Sequence, residues 1–464
     1  MPVPSAQALT KWQERQAKLD YYMIIIIFVN QTIIIYSLIR MKKIYLLLAA
    51  VAMIFAAACQ NDQPQDPNKP SGVDDPSVTP EAQIEETSKA FMAALDINNW
   101  RNEAEYVHKV AKSLSNKDFN DQKLEEWVDA LSQSWQQAPR KEGNTTIYET
   151  IVRLSDAKGH FEEKADGSFK FEEANDFQFT VLVDGEKVTA TFTCTDSKVP
   201  LIISSGVYFY SYYDNDTYQE KREEHNNLLY VPTNAVLKIL RGNNEFASIV
   251  LNTSVDVNDS NNPNPYTDSA SLDVVIKVGV YTINVNKVAY SPTGANVNIK
   301  LFNGNASLLF VGADAVYNLD SASHSDIPVK NGSVNAEVDI MGKIQLKGQI
   351  PDFAKFWEAG QNLNDNNQDA KRYPALVSEF EKTFSANMFF NGSSSARASL
   401  GMEAVKYDGN NYWYCNPVFR FSDGSSYGVE DYFTEDRFGG LIQYTDSWLD
   451  NIEEYLSGLF SDIY

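Results

Sequence analysis

The feature that most constrains this chain is a two-residue hydrophobic period that starts near Gly159 and recurs almost to the C-terminus. Phe177, Phe179, Val181 and Val183 alternate with Gln178, Thr180 and Leu182. Val188, Ala190, Phe192 and Cys194 alternate with Thr189, Thr191 and Thr193. Val297, Ile299 and Leu301 alternate with Asn298 and Lys300, and Val334, Ala336, Val338 and Ile340 with Asn335, Glu337 and Asp339. A period of two sends successive side chains to opposite faces, as a half-buried strand requires. Asp-Gly or Asn-Gly pairs begin at Asp166, Asp184, Asn303, Asn331, Asn391, Asp408 and Asp423. Those dipeptides accept the positive φ of type I′ hairpin turns. The pattern predicts a large antiparallel meander with one wet face and one buried face. Val274-Val275-Ile276 and Leu308-Leu309-Phe310-Val311 have no polar side, which predicts strands held between two layers.

Helical periods flank the strands. Thr79-Pro80-Glu81 offers an N-cap hydroxyl, a proline at the first helical position and an acid in the first turn. Apolar positions at helical spacing follow over residues 84–95, 104–114 and 124–135, and Pro139 and Gly143 then punctuate the chain. Further helical patterns, Phe353/Phe356/Trp357, Tyr373/Leu376/Val377/Phe380/Phe384 and Trp448/Leu449/Ile452/Tyr455/Leu456/Leu459, are candidate covers for the sheet. The expected class is α+β. It comprises a helical region over residues 80–155 and a β-rich domain over 156–464. That domain is a large curved antiparallel meander with covering and C-terminal helices. Residues 235–244 and 296–305 resemble one another, either as duplicated β units or as two hairpins obeying one turn code.

The first eighty residues have a different character. Lys42 and Lys43 follow Met41, residues 44–55 are apolar, and Ala56-Ala57-Ala58 stand directly before Cys59. The apolar stretch has signal-peptide length and is too short to span a bilayer. This order of basic, apolar, small and cysteine resembles the lipobox leader of bacterial lipoproteins. The resemblance covers residues 41–58 and implies cleavage before Cys59 and lipidation of its thiol. Residues 1–40 contain the isoleucine-rich run 23–39, which reads either as a transmembrane helix of marginal length or as an extension upstream of a start at Met41; the second accounts better for the leader. Residues 59–79 are rich in Pro, Asp and Gln, a composition that buries no core and reads as a tether. Asp62, just behind Cys59, loosely resembles the surface-export tag of some Gram-negative anaerobes. The expected location is therefore the outer membrane, at the cell surface, with the periplasmic face as the alternative.

Charge excludes some partners. The chain has 39 Lys+Arg against 62 Asp+Glu, a net charge of −23. Without residues 1–58, which hold six basic and two acidic residues, the balance over 406 residues is 33 against 60, or −27. Nucleic acid requires a basic stripe, and anionic lipid a basic surface, so neither is an expected partner of the body. The expected membrane contact is through lipidated Cys59.

Chemistry-bearing motifs are sparse. His108, His160, His225 and His324 have no His or Cys at metal-ligand spacing. Residues 256–268 are rich in Asp and Asn, but lack the glycine and terminal glutamate of a calcium loop. No nucleophile elbow, P-loop or dinucleotide fingerprint occurs, so no catalytic residue, metal or cofactor is assigned. Glu430-Asp431 and Glu435-Asp436 read as helix-start acids. Cys194 and Cys415 lie on apolar strand faces and read first as small buried hydrophobes, although export also permits them to pair. The remaining clue is aromatic. Tyr208-Phe209-Tyr210 and Tyr412-Trp413-Tyr414 are clusters whose rings could stack on sugars or grip an apolar ligand. Tyr208, Tyr210, Tyr412, Trp413 and Tyr414 are the candidate ligand-binding residues.

The β region resembles uncharacterised surface lipoproteins of gut Gram-negative bacteria. The stretch 169–183 followed by Asp184-Gly185-Glu186-Lys187-Val188-Thr189-Ala190, and the tail Phe421-Ser422-Asp423-Gly424-Ser425-Ser426-Tyr427, carry that resemblance. It implies no catalytic residues. Three functions stay open: a non-enzymatic envelope module binding an apolar or glycan ligand, a carboxylate-dependent hydrolase, and a structural or adhesive lipoprotein. In its apolar form the first would resemble tubular lipid-binding proteins in architecture.

Overall fold

The computed structural model describes residues 78–95, 97–115, 122–198, 200–214, 217–257, 267–319, 329–407 and 411–460. The leader, Cys59 and the tether lie outside the described residues. Among the described residues three helices come first: α1 (Pro80–Ala94), α2 (Ile97–Ser115) and α3 (Gln122–Trp135). Thr79 caps α1 as its sequence predicts, its hydroxyl accepting from the Ala82 N–H at 3.3 Å. Strands then begin at Arg140, earlier than the helical region was expected to end, with β1 (Arg140–Glu142) and β2 (Thr145–Val152). They continue as β3 (Gly159–Glu163), β4 (Phe169–Glu172), β5 (Phe177–Val183), β6 (Glu186–Asp196), β7 (Leu201–Asp214) and β8 (Thr217–Leu229). A long meander follows: β9 (Pro232–Arg241), β10 (Asn244–Asp256), β11 (Ser269–Val278), β12 (Tyr281–Ser291), β13 (Gly294–Asn303), β14 (Ala306–Leu319), β15 (Val329–Ile340) and β16 (Ile344–Ile350). Helices α4 (Phe353–Asp365) and α5 (Tyr373–Glu381) interrupt it. The chain then adds β17 (Ser385–Phe390), β18 (Ala398–Lys406), β19 (Trp413–Phe421), β20 (Ser426–Gly428), α6 (Val429–Tyr432) and α7 (Glu435–Phe460).

The expected α+β meander is present. Strands β9 to β20 pair in chain order, and β6, β5, β3 and β4 extend the same sheet to 16 strands. All its pairs are antiparallel except β3 with β5. Its free edges are β20 and β4, so the sheet is open rather than closed into a tube. Strands β7 and β8 leave this sheet as a hairpin and join β2 and β1 in a second sheet of four, where β2 and β8 run parallel.

Register explains why the sequence alternates. Leu237, Ile249, Ile276, Ile283, Leu301, Leu309, Ile340, Ile344 and Phe390 are successive cross-strand partners, one apolar row from β9 to β17. The opposite face carries Asn298, Gly312, Glu337, Lys347 and Asn387 in the same way. The helices pack on the apolar face at three places. Helices α1, α6 and α7 cover β16 to β19 around Phe390, Phe419, Phe421, Tyr432 and Phe438. Helices α2 and α3 cover β3 to β6 around Tyr106, Leu124 and Phe161. Leu363, Tyr373, Leu376 and Val377 of α4 and α5 pack with Met402, Trp413 and Cys415. The two-layer expectation for Leu308 to Val311 is not met. Leu308 is the extra residue of a β-bulge between the Leu301–Leu309 and Phe302–Ser307 pairs, and is buried. Phe310 lies on the polar face, over Gly312 and beneath the Lys300 ammonium, 5.4 Å from the ring centroid.

Turn chemistry is mixed. Asp184 and Gly185 both have positive φ, 50° and 81°, and join Val183 to its partner Glu186 in the predicted two-residue turn. Asn331 instead lies within β15, and Asp408 lies outside the described residues. Gly242, Gly279 and Gly304 each begin a two-residue loop with φ 56°, the Gly-first arrangement of a type II′ hairpin. Gly279-Val280 shares this geometry without the repeated sequence, so the turn itself does not require the repeat.

One ion pair closes a gap in the sheet. Strand β17 pairs with β18 only at Asn387–Ser399 and Met388–Ala398. Beyond that, the Met402 N–H donates to Glu381 Oε2 at 3.2 Å. Arg420 donates to both Glu381 oxygens and lies across Gly401, where a side chain would strike the guanidinium. Burial pushes the Glu381 carboxyl up, but the Arg420 hydrogen bond, the Met402 N–H and the Arg420 charge outweigh it and hold the group below its ordinary 4.5. A depressed carboxyl stabilises the fold above its ordinary range, and the contribution is lost as pH falls through the lowered value. We expect Glu381→Gln to cost about 1–3 kcal/mol at neutral pH. Stability-versus-pH curves should also show a shallower acid limb below pH 4.5 for the variant than for wild type.

Candidate functional site

The β7–β8 hairpin gathers the most chemistry-bearing surface. Antiparallel register sets Gly206 opposite His225 and Tyr208 opposite Glu223, with Tyr210 opposite Lys221. Parallel pairing with β2 sets Tyr148 beside His225. The Tyr148 and His225 rings stack, 4.6 Å between centroids and 15° between planes. Tyr208 meets His225 edge-on at 5.2 Å. Gly206 permits this, because a Cβ there would lie 3.3 Å from the Tyr208 ring. Tyr208 is 52% exposed and Tyr210 46%, so the rings form an open platform.

A polar set sits within the platform. Lys221 Nζ donates to Glu223 Oε1, and His225 Nε2 lies 3.6 Å from Glu223 Oε2. The Tyr148 hydroxyl reaches Glu223 Oε1 at 3.5 Å. Burial raises the Glu223 carboxyl, but its hydrogen bonds and charge contacts with Lys221 and His225 prevail and hold it lowered. Glu223 is therefore a carboxylate: an acceptor, not an acid. On the opposite face of the hairpin Phe209 is 78% exposed, with Arg222 6.0 Å from its ring centroid.

The other predicted cluster divides. Tyr412 and Tyr414 are exposed, and Tyr407 meets Tyr414 edge-on at 5.9 Å. Trp413 points inward, packed with Tyr373 and Cys415, and its backbone N–H donates to the Asn367 carbonyl at 2.7 Å. Strand alternation is the reason, since Trp413 shares parity with Cys415, Phe419 and Phe421. Trp413 is therefore a packing residue and not part of an exposed surface. The two tyrosine groups lie on different sheets and are not brought together. Tyr148, His225, Glu223 and Lys221 were not among the residues expected from sequence. The alternation Lys221-x-Glu223-x-His225 was the available signal for three of them, and Tyr148 needed the parallel pairing.

The polar face of the large sheet holds a cleft of about 350 Å³ lined by Tyr290, Ser291, Asn296, Asp314, Val316 and Asn335. Asn296, Asp314 and Asn335 are cross-strand neighbours, and the buried Asn296 Oδ1 has no hydrogen-bond donor. Cys194 and Cys415 are both free. Burial pushes the Cys194 thiol up to about 12 and the Cys415 thiol up to about 11, so neither is a thiolate at neutral pH. Among the described residues no group of three His, Cys, Asp or Glu could hold a metal, and no helix is long and apolar enough to cross a membrane. Compared with known proteins, the chain matches no family model, no curated protein and no solved structure.

Proposed function

We propose that this protein is a lipid-anchored envelope module that binds glycan, without chemistry, on the platform of its β7–β8 hairpin. The observation that carries the reading is the exposed pair Tyr208 and Tyr210 beside His225, Glu223 and Lys221. Sugars present an apolar face to a ring and hydroxyls to polar groups, and this surface offers both. The cleft on the large sheet offers amides and a carboxylate, and the hairpin adds open rings. The anchor of the proposal is Cys59, with residues 59–79 as its tether and the cell surface as its place; the periplasmic face is the alternative.

Ionisation at the platform favours binding over hydrolysis. The Glu223 carboxyl is displaced downward, as are those of Glu162, Asp166, Glu245, Asp352, Glu381 and Asp423. The general acid of a glycosidase is held protonated by an upward shift. The open sheet likewise lends no support to a tubular lipid carrier. Retention on a panel of immobilised polysaccharides tests the reading. Each ring contributes about 0.5–1.5 kcal/mol of stacking, so the double variant Tyr208→Ala/Tyr210→Ala should bind its best polysaccharide roughly ten-fold more weakly. Equal retention of both proteins would remove the platform from the account.

A further inference from the structure

We infer that β7 is the interface of a two-fold dimer, in which two copies of this chain pair antiparallel along that edge about Val207. Among the described residues the two sheets have four edges. Strands β1 and β20 have 3 residues each and β4 has 4, lengths that leave little to pair with. Strand β7 has 14 residues, and no other described strand pairs with its outer side. Edges are ordinarily blunted by charge, proline or bulges. Residues 201–213 hold no charged residue and no proline, and the one bulge, at Ile203, lies near the base.

The occupant follows from the strand's own pattern. A two-fold axis at Val207 sets Gly206 opposite Tyr208, Ser205 opposite Phe209 and Ser204 opposite Tyr210 of the other copy. Small residues on one side of Val207 thus meet rings on the other, in both halves of the pair at once. Such an isologous match is what two-fold symmetry demands. Charge points the same way. At −23, two copies repel over most of their surfaces, whereas an uncharged strand can be approached without placing like charges together. Val207 and Phe209 are exposed and become covered side by side. Pairing would also place Tyr208 and Tyr210 of both copies on one continuous sheet face, but the dimer does not depend on what they bind.

The test uses the full chain. In intact cells, Val207→Cys under a mild oxidant should yield a disulfide-linked dimer. A residue opposite its own copy in an antiparallel pair has Cα atoms about 4.5–5.5 Å apart, within disulfide reach. Wild type supplies the background from Cys194 and Cys415, which are half-buried. Light scattering on the detergent-solubilised chain should give two copies for wild type. It should give one for Val207→Lys/Phe209→Lys with unchanged circular dichroism. A wild-type monomer at every concentration, or cross-linking that peaks away from position 207, overturns the inference.

Discussion

Cys59→Ala is expected to abolish incorporation of labelled palmitate and to move the chain from the membrane fraction to the soluble fraction. The reasoning is quantitative. A buried acyl chain contributes about 0.8 kcal/mol per methylene, yet one chain alone anchors only reversibly. A lipoprotein cysteine carries several chains, enough to hold a body of this size without a spanning helix. No described helix could take over that role. The acidic body, at −27 without residues 1–58, is repelled on balance by anionic lipid. Loss of the thiol should therefore remove attachment rather than weaken it. Labelling and membrane recovery that survive in the variant would show that something other than Cys59 anchors the chain.

Tyr432→Ala should cost about 3–5 kcal/mol, the range for deleting a large buried aromatic. Tyr432 is fully buried. Its ring lies 4.9 Å from Phe421, 5.2 Å from Phe433, 5.4 Å from Phe438, 5.5 Å from Phe419 and 5.7 Å from Tyr427. Phe419 and Phe421 belong to β19, Tyr427 to β20, Phe433 follows α6 directly and Phe438 lies at the start of α7, so one side chain joins the last strands to the closing helix. No single neighbour can move into the space, because each is itself packed against others of the set. Urea denaturation should show a midpoint lower by about 1 M or more. Tyr432→Phe keeps the ring and should lose much less. A Tyr432→Ala midpoint within error of wild type would mean that this cluster does not hold the flank together.

Local periodicity made the meander legible. Each half-buried strand announces itself within a few residues, and Asp184-Gly185 marks its own turn. What stayed hidden depends on contacts between distant segments. Strand β1, Arg-Lys-Glu, has no apolar alternation at all, and its existence depends on β2. The parallel pairs β2–β8 and β3–β5 leave no local mark either. The doubled leucine at 308 and 309 gave no hint that a bulge would turn Leu308 inward. At the candidate site, the tyrosines were visible as strand aromatics. The inward direction of Trp413 follows from its parity with Cys415, which the same alternation contains. The stacking of Tyr148 on His225 could not be read, because it needs the register of two strands far apart in the chain.

The claim that the β7–β8 hairpin is the ligand-binding element can be tested by hydrogen exchange on the full chain, with and without its best-retained polysaccharide. The account predicts added protection over Leu201–Asp214, Thr217–Leu229 and Thr145–Val152, and its loss in the Tyr208→Ala/Tyr210→Ala variant. Protection confined to the large sheet, or none at all with a retained polysaccharide, would contradict it.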